Sequence, residues 1–441
     1  MTSKTAVASA LALALGCSTP AISRYADDTH GNALDAWRAP DAGALSDVGA
    51  MDAGSLPDTD SSPADAATQD AFAVVTTIRI VYPAGHTITL RGSGAPLSWT
   101  SGIAVPETGG GVYEVALHGL AAAIEFKPLL DDATWSRGPN FHVAPGQRIE
   151  IAPHFVATSG RVETLLPAWS STLLGNTRVV YAYLPAAYDE NTAAHFTVLT
   201  MHDGQNLFDA ALAFGHVEWQ VDETMDAAGE GGLCADGATA CASDGECASG
   251  ICDTFDATIV IGVANTASRI DEYTPTVDPT RGGGRGDLYL RALVEELRPM
   301  VDVSLRTRTG RADTAMMGSS LGGLISAHAG VVRSDTFGLI GAMSPSTWWD
   351  GTELIGEIGT IPAHATRALR VYVDSGDSGD SMDGVTDTAS LAAAYRAVGY
   401  VEGADFRYVV QPGGEHSEAY WAERLPAALA FLLPRRERAL P

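Results

Sequence analysis

Met316-Met317-Gly318-Ser319-Ser320-Leu321-Gly322-Gly323 decides how the rest of the chain is read. The residues from Asp313 to Met316 could end a strand, and Leu324-Ile325-Ser326-Ala327-His328 suits a helix. Between them, Gly318-Ser319-Ser320-Leu321-Gly322 matches G-x-S-x-G, the pattern of a nucleophile elbow, in which a strand turns so tightly into a helix that no side chains fit beside the serine. A pattern with three fixed positions arises easily by chance. Its context carries the weight here: apolar residues before it, a helix after it, and acid and histidine candidates downstream in the order Ser, Asp, His. Ser320 is therefore the expected nucleophile.

The chain has 441 residues, 46% of them hydrophobic, which is enough for two domains plus extensions. With 54 acidic residues against 27 basic ones the formal charge is −27, which argues against nucleic acid and anionic membrane surfaces as partners. Lys4 precedes an apolar run, Ala6 to Leu15, that ends in Gly16-Cys17. The run is too short to span a bilayer and reads as a signal segment over 1–16. It resembles a bacterial lipoprotein signal, with Cys17 as the lipidated first residue, although Ala14 stands where such signals prefer Leu. Ordinary signal cleavage and soluble secretion is the alternative, and both readings put the protein outside the cytoplasm: in the bacterial cell envelope, held at the membrane only through the lipid anchor, or secreted.

Residues 17–72 are rich in Ala, Asp, Ser and Gly, and hold ten Asp but no Glu. Without apolar periodicity such a segment cannot bury enough surface to fold, so a disordered tether is expected. Cys234, Cys241, Cys247 and Cys252 fall within nineteen residues, inside a region (229–255) that reads as an insertion. In an exported protein they predict two disulfides with three possible pairings, and their spacing does not match the paired C-x-x-C of zinc ribbons.

From 73 to 156, short alternating runs at 77–82, 86–91, 111–117, 123–128 and 148–152 are separated by Gly/Pro clusters, predicting a small all-β sandwich. From 163 to 436 the pattern is α/β. Strands are expected at 178–184, 195–201, 258–264, 339–343, 369–373 and 406–410, with helices at 218–228, 287–305, 390–398 and 423–433, hence a mainly parallel sheet.

Five motifs stand in fixed order: Leu184-Pro185-Ala186-Ala187-Tyr188-Asp189, Met201-His202-Asp203-Gly204-Gln205-Asn206-Leu207-Phe208-Asp209, Glu272-Tyr273-Thr274-Pro275, the elbow, and Ser344-Pro345-Ser346-Thr347-Trp348-Trp349. Together they closely resemble the putative esterase family of α/β-hydrolases, which includes esterase D, enterochelin esterase, feruloyl and acetyl-xylan esterases and mycolyltransferases. The resemblance implies a serine esterase with no cofactor and no metal. It makes His416, in Pro412-Gly413-Gly414-Glu415-His416, the base, with His202 and His328 as rivals. By the family's spacing the acid is Asp380, then Asp377, with Asp374 and Asp383 further alternatives in the same Asp-rich loop. Calcium binding is the other reading of that loop, although its spacing is not that of an EF-hand.

An oxyanion needs backbone amides to hold it. Leu321, next to the nucleophile, should supply one donor and Asp203 or Gly204 the other, while the Asp203 and Asn206 side chains could equally serve to tie down their loop. Trp348 and Trp349 either wall the substrate pocket or fill the core. In the β-module, Leu97-Ser98-Trp99, Glu125-Phe126-Lys127-Pro128-Leu129 and Trp135-Ser136-Arg137-Gly138-Pro139-Asn140 resemble starch-binding-type carbohydrate modules, which would make Trp99 and Trp135 sugar platforms if they are not core plugs. The expected substrate is a carboxylic ester on a carbohydrate, acetyl or feruloyl, with a siderophore ester, acyl transfer, or a non-catalytic carbohydrate-binding lipoprotein as alternatives. The sequence does not give the oligomeric state.

Overall fold

A computed structural model describes residues 74–440 except 235–238, 242–243, 249–251 and 362–368. The signal segment, Cys17 and the tether lie outside the described residues.

The expected β-module is a sandwich. One sheet holds Val75–Val81 between antiparallel Val112–His118 and parallel Arg148–Ile151. The other is built on Ile88–Gly92 and Ile124–Leu130, paired antiparallel. Alternation along Val75–Val81 turns Ile78 and Ile80 inward, both fully buried with Leu90, Phe126 and Phe141 between the sheets. The first sheet gains its edge from far away: Arg438–Ala439 pairs antiparallel with Arg148–Ile151, so the chain returns to the module after the hydrolase domain.

The α/β domain is an eight-stranded sheet. Its strands are β1 (Arg161–Ser171), β2 (Asn176–Leu184), β3 (Thr197–His202), β4 (Thr258–Val263), β5 (Thr314–Ser319), β6 (Leu339–Met343), β7 (Arg370–Gly376) and β8 (Phe406–Gln411). They lie in the order β1-β2-β4-β3-β5-β6-β7-β8. β1, β2 and β4 run antiparallel to their neighbours at that edge, and every pair from β4 onward is parallel.

The inner parallel strands β3 to β7 are buried on both faces, which is why they read as mainly apolar runs, whereas the edge strand β8 is half-buried. Val198, Met316, Ile340 and Val371 face one core with Leu324, Ile325 and Leu391; Leu199, Met317 and Tyr372 face another with Trp421 and Leu425. Helices Leu321–Val332 and Val385–Ala397 cover the first face, and Val221–Glu230 and Glu418–Leu432 the second. The helix expected at 287–305 forms as Gly286–Ala292 and Arg298–Ser304 with a wider turn between them. β1 was not foreseen: most of its residues are exposed or half-exposed and two irregularities break its register, so no clean alternation marks it.

The insertion is a three-stranded knot closed by Cys234–Cys247 and Cys241–Cys252. All four thiols are taken up by these two disulfides, the pairing being one of the three the sequence allowed. Leu233 and Cys234 line a groove with Gly338, Leu339, Leu369 and Arg370, at the starting ends of β6 and β7. The insertion therefore lies at the end of the sheet opposite Ser320.

Candidate active site

Ser320 occupies the turn between β5 and helix Leu321–Val332 with φ 57° and ψ −123°, a backbone conformation that a residue with a side chain adopts only under strain. The flanking glycines are required by contact. A Cβ on Gly318 would lie 2.8 Å from His202 Cδ2, one on Gly322 3.2 Å from His202 Cβ, and one on Gly323 2.9 Å from the Met343 carbonyl. Bonds from Ser320 N–H to Met343 O at 3.1 Å and from Ser346 N–H to Ser320 O at 2.9 Å lock the elbow against the end of β6. Ser320 Oγ is half-buried, 3.3 Å from Ser346 Oγ.

His202 is thereby removed as a base. It is buried beneath the elbow with Nδ1 3.0 Å from Tyr289 Oη, and burial pushes its pKa down to about 4. His328 is equally structural, held by Asp287 and Glu357 at 2.8 Å each. Burial opposes its charged form, but the two carboxylates outweigh burial and raise its pKa.

His416 sits in the loop after β8, exposed, with its ring edge-on to Trp421. The carboxylate it meets is Asp383, with Nδ1 2.6 Å from Oδ1. This corrects the expectation of Asp380 or Asp377. Asp380 is exposed, and Asp377 accepts the Gly413 N–H instead. The physical reason is three consecutive left-handed residues, Ser381, Met382 and Asp383 (φ 55°, 49° and 50°), which coil the chain back so that the fourth Asp of the loop is the one turned inward.

Asp383 is 3% exposed and well supplied with donors. Ser344 Oγ donates to Oδ2 at 2.6 Å, and the Gly376 N–H donates to the same oxygen. Trp421 Nε1 and Arg424 Nη2 both donate to Ser344 Oγ, at 3.0 and 2.7 Å. With its lone pairs so occupied, the Ser344 hydroxyl has only Asp383 to donate to. Burial acts to raise the Asp383 pKa, but the bonds from His416, Ser344 and Gly376 together hold it below the usual carboxylate range. Arg424 is itself buried and ion-paired to Asp374 at 3.0 Å. Asp374 is thus occupied under the site, with its carboxyl pushed up to about 6 mainly by burial.

Leu321 opens its helix, so no carbonyl one turn back can take its N–H. Asp203 presents a different picture: its N–H donates to Tyr273 Oη at 3.2 Å, and its carboxylate takes two bonds of 2.8 Å from Arg269 and one of 2.6 Å from Asn265. Its side chain therefore ties down the loop, as does Asn206, whose Oδ1 accepts the Phe214 N–H at 3.0 Å. Gly204 packs on the β4 backbone, where a Cβ would come within 2.4 Å of Gly262 C.

Glu272-Tyr273-Thr274 braces this loop from behind. Glu272 is buried against Arg178 at 2.8 Å, Tyr273 meets Asp203, and Thr274 Oγ1 receives the Gly284 N–H at 3.0 Å. The sequence marked that motif without showing its task. The two tryptophans after β6 divide: Trp349 is 2% exposed with Nε1 bonded to Thr276 O, a core residue, whereas Trp348 is 42% exposed with Arg281 4.8 Å over its ring. In the module, Trp99 and Trp135 are 38% and 39% exposed with ring centres 6.1 Å apart, so neither plugs the core.

Sheet order, elbow and flanking strands are those of an α/β-hydrolase fold. The chain belongs to the family described as "Putative esterase", whose model matches residues 170–432. It is similar to a siderophore enterobactin esterase of Emericella nidulans, 32% identical over 92 residues. That match covers 20% of this chain and 30% of the fungal enzyme, so the chain spans less than a third of that relative's length. An uncharacterized protein of Bacillus subtilis, YbbA, is 25% identical over 191 residues, which is 41% of this chain and 76% of that one. Among solved structures, a ferulic acid esterase aligns with TM-score 0.45 and 18% identity, over 62% of this chain and 98% of its own. The enterobactin esterase FES from Shigella flexneri aligns with TM-score 0.45 and 14% identity, over 80% and 91% respectively.

Proposed function

We propose that Ser320, His416 and Asp383 are the catalytic triad of an exported serine esterase that removes acyl groups from carbohydrate. The observation that carries the triad is the 2.6 Å His416–Asp383 bond, placed after β7 and β8 on the same sheet end as the strained Ser320 elbow. His416 takes the Ser320 proton on Nε2 as Oγ attacks the ester carbonyl, and Asp383 holds the ring in the tautomer that leaves Nε2 free to accept. The N–H groups of Leu321 and Gly204 receive the oxyanion, Gly204 because Tyr273 engages the Asp203 amide. The tetrahedral species collapses with His416 protonating the departing alcohol, and water then hydrolyses the acyl-enzyme by the same route.

Carbohydrate as the leaving side rests on the exposed Trp99–Trp135 pair, whose flat apolar faces suit sugar C–H surfaces, and on exposed Trp348 beside the site. Export and lipidation at Cys17 rest on the apolar run before it. A siderophore ester is the second reading, favoured by the name of the Emericella relative.

The test is hydrolysis of p-nitrophenyl acetate by the wild type beside Ser320→Ala, followed by acetylated and feruloylated polysaccharides against a siderophore triester. Loss of activity in the alanine variant, with polysaccharide deacylation weakened by Trp99→Ala/Trp135→Ala and small-ester turnover unchanged, supports the reading. Activity that survives Ser320→Ala refutes the nucleophile, and preference for the triester refutes the carbohydrate.

A further inference from the structure

Beneath the catalytic end of the sheet, two buried carboxylates share one buried guanidinium. Asp374 lies in β7, Asp383 in the turn after it, and Arg424 reaches them from helix Glu418–Leu432. Arg424 Nε stands 3.0 Å from Asp374 Oδ2, while its Nη2 donates to Ser344 Oγ at 2.7 Å and lies 3.7 Å from Asp383 Oδ2. Ser344 joins the two acids, its N–H donating to Asp374 Oδ1 at 3.0 Å and its hydroxyl to Asp383 Oδ2 at 2.6 Å. It does so at φ 37°, a left-handed conformation costly for a residue with a Cβ. Orienting His416 requires only the bond to Asp383 Oδ1, so a second buried acid, its arginine and a strained serine go beyond that need.

The charges give the arrangement a direction. Asp374, Arg424 and Asp383 together carry one negative charge, which a proton on His416 makes neutral. Arg424 pulls on the Asp383 oxygen turned away from His416, both directly and by polarising the Ser344 hydroxyl. It thereby competes with the imidazolium for that carboxylate, and Asp374 draws it back. Sealed from solvent, these charges act on one another with little screening. Tyr372 and Tyr408 face Asp374 from β7 and β8, and Glu418 faces His416 from the start of the last helix. Asp377, Asp380 and Glu415 lie on the solvent side of the same loops. Substitutions at Asp374 and Arg424 leave all of these in place.

We propose that Arg424 and Asp374 are positioning residues whose ion pair sets the pH at which His416 becomes a working base, Asp374 restraining the pull of Arg424 on Asp383. This rests on the Ser320–His416–Asp383 triad, but its readout is where the acid limb of the rate lies and not whether the enzyme turns over.

The experiment measures kcat/KM for p-nitrophenyl acetate on the full chain from about pH 4 to 9, which gives that limb. Asp374→Asn keeps the side-chain shape and leaves Arg424 to Asp383 alone. The imidazolium is then held less strongly, and the limb moves to lower pH by at least about half a unit. Adding Arg424→Met removes the pull itself, so the limb of the double variant lies above that of the wild type. With both charges gone the double variant has no unpaired buried ion, which keeps the proposal testable where Asp374→Asn alone fails to fold. Both displacements persist in about 1 M salt, where surface charges are screened. A slower enzyme whose limb coincides with that of the wild type would reduce the pair to a structural brace and overturn the proposal, as would displacements of the same sign in both variants. Failure of the triad shows separately, as activity that survives Ser320→Ala or Asp383→Asn.

Discussion

Replacing Asp383 by Asn tests the site where structure and sequence part. The carboxylate now accepts the His416 Nδ1 proton at 2.6 Å. A carboxamide in the same place can turn its NH2 toward Nδ1, which selects the tautomer protonated on Nε2, and that nitrogen can no longer take the Ser320 proton. Its oxygen would still meet Ser344 and Gly376, so the fold has a reason to survive. The expected loss in kcat is about 10³–10⁴-fold, with KM little changed. At about 1.4 kcal/mol per decade this is roughly 4–5.5 kcal/mol of transition-state stabilisation. Asp380→Asn, at an exposed position, should stay within about twofold of wild type, the scale of a surface change. Initial rates on p-nitrophenyl acetate, with a thermal melt of each variant, measure both. A large loss in Asp380→Asn with Asp383→Asn nearly intact would refute the assignment and the role given to the coiled 381–383 segment.

Ser344→Ala removes one donor to Asp383 and leaves Trp421 Nε1 and buried Arg424 short of an acceptor, so stability should fall by about 1–3 kcal/mol in denaturant titration. The same variant should lower kcat more than it raises KM, because the lost bond positions the acid and not the substrate. Reducing Cys234–Cys247 and Cys241–Cys252, which close loops of 13 and 11 residues, should cost the insertion about 3 kcal/mol per bridge while ester hydrolysis at 25 °C is retained. Loss of activity on reduction would place the insertion in the catalytic path. His328 has a raised folded pKa, so its contribution is complete below the unfolded value near 6.5 and disappears as pH rises through the folded one. Unfolding free energies measured from pH 5 to 9 should show the wild type losing its advantage over His328→Gln toward alkaline pH, and parallel curves would refute the ion-pair account.

The parallel core was legible because strands buried on both faces are mostly apolar, as β4 and β6 are. The elbow was legible because Gly318 and Gly322 are forced by the nearness of His202. Asp383 was legible only as one of four candidates in its loop, since spacing along a chain says little once three residues turn left-handed in succession. Its place directly before Gly384 and helix Val385–Ala397 was the available sign of a chain reversal. Nor could residue type separate Trp348 from Trp349, because adjacent residues turned to opposite sides have opposite surroundings. The exposure of Trp99 and Trp135 is likewise a property of the assembled sandwich, and nothing in their neighbours along the chain encodes it.

The pairing of Arg438–Ala439 with Arg148–Ile151 imposes an order on biogenesis. The β-module is translated first, yet its sheet stays one strand short until residues 152–437 have been made. At roughly 5–20 residues per second that delay is about 15–60 s. During it the Arg148–Ile151 edge presents unsatisfied backbone groups, which makes the nascent module a partner for any extended segment and gives chaperones a defined edge to protect.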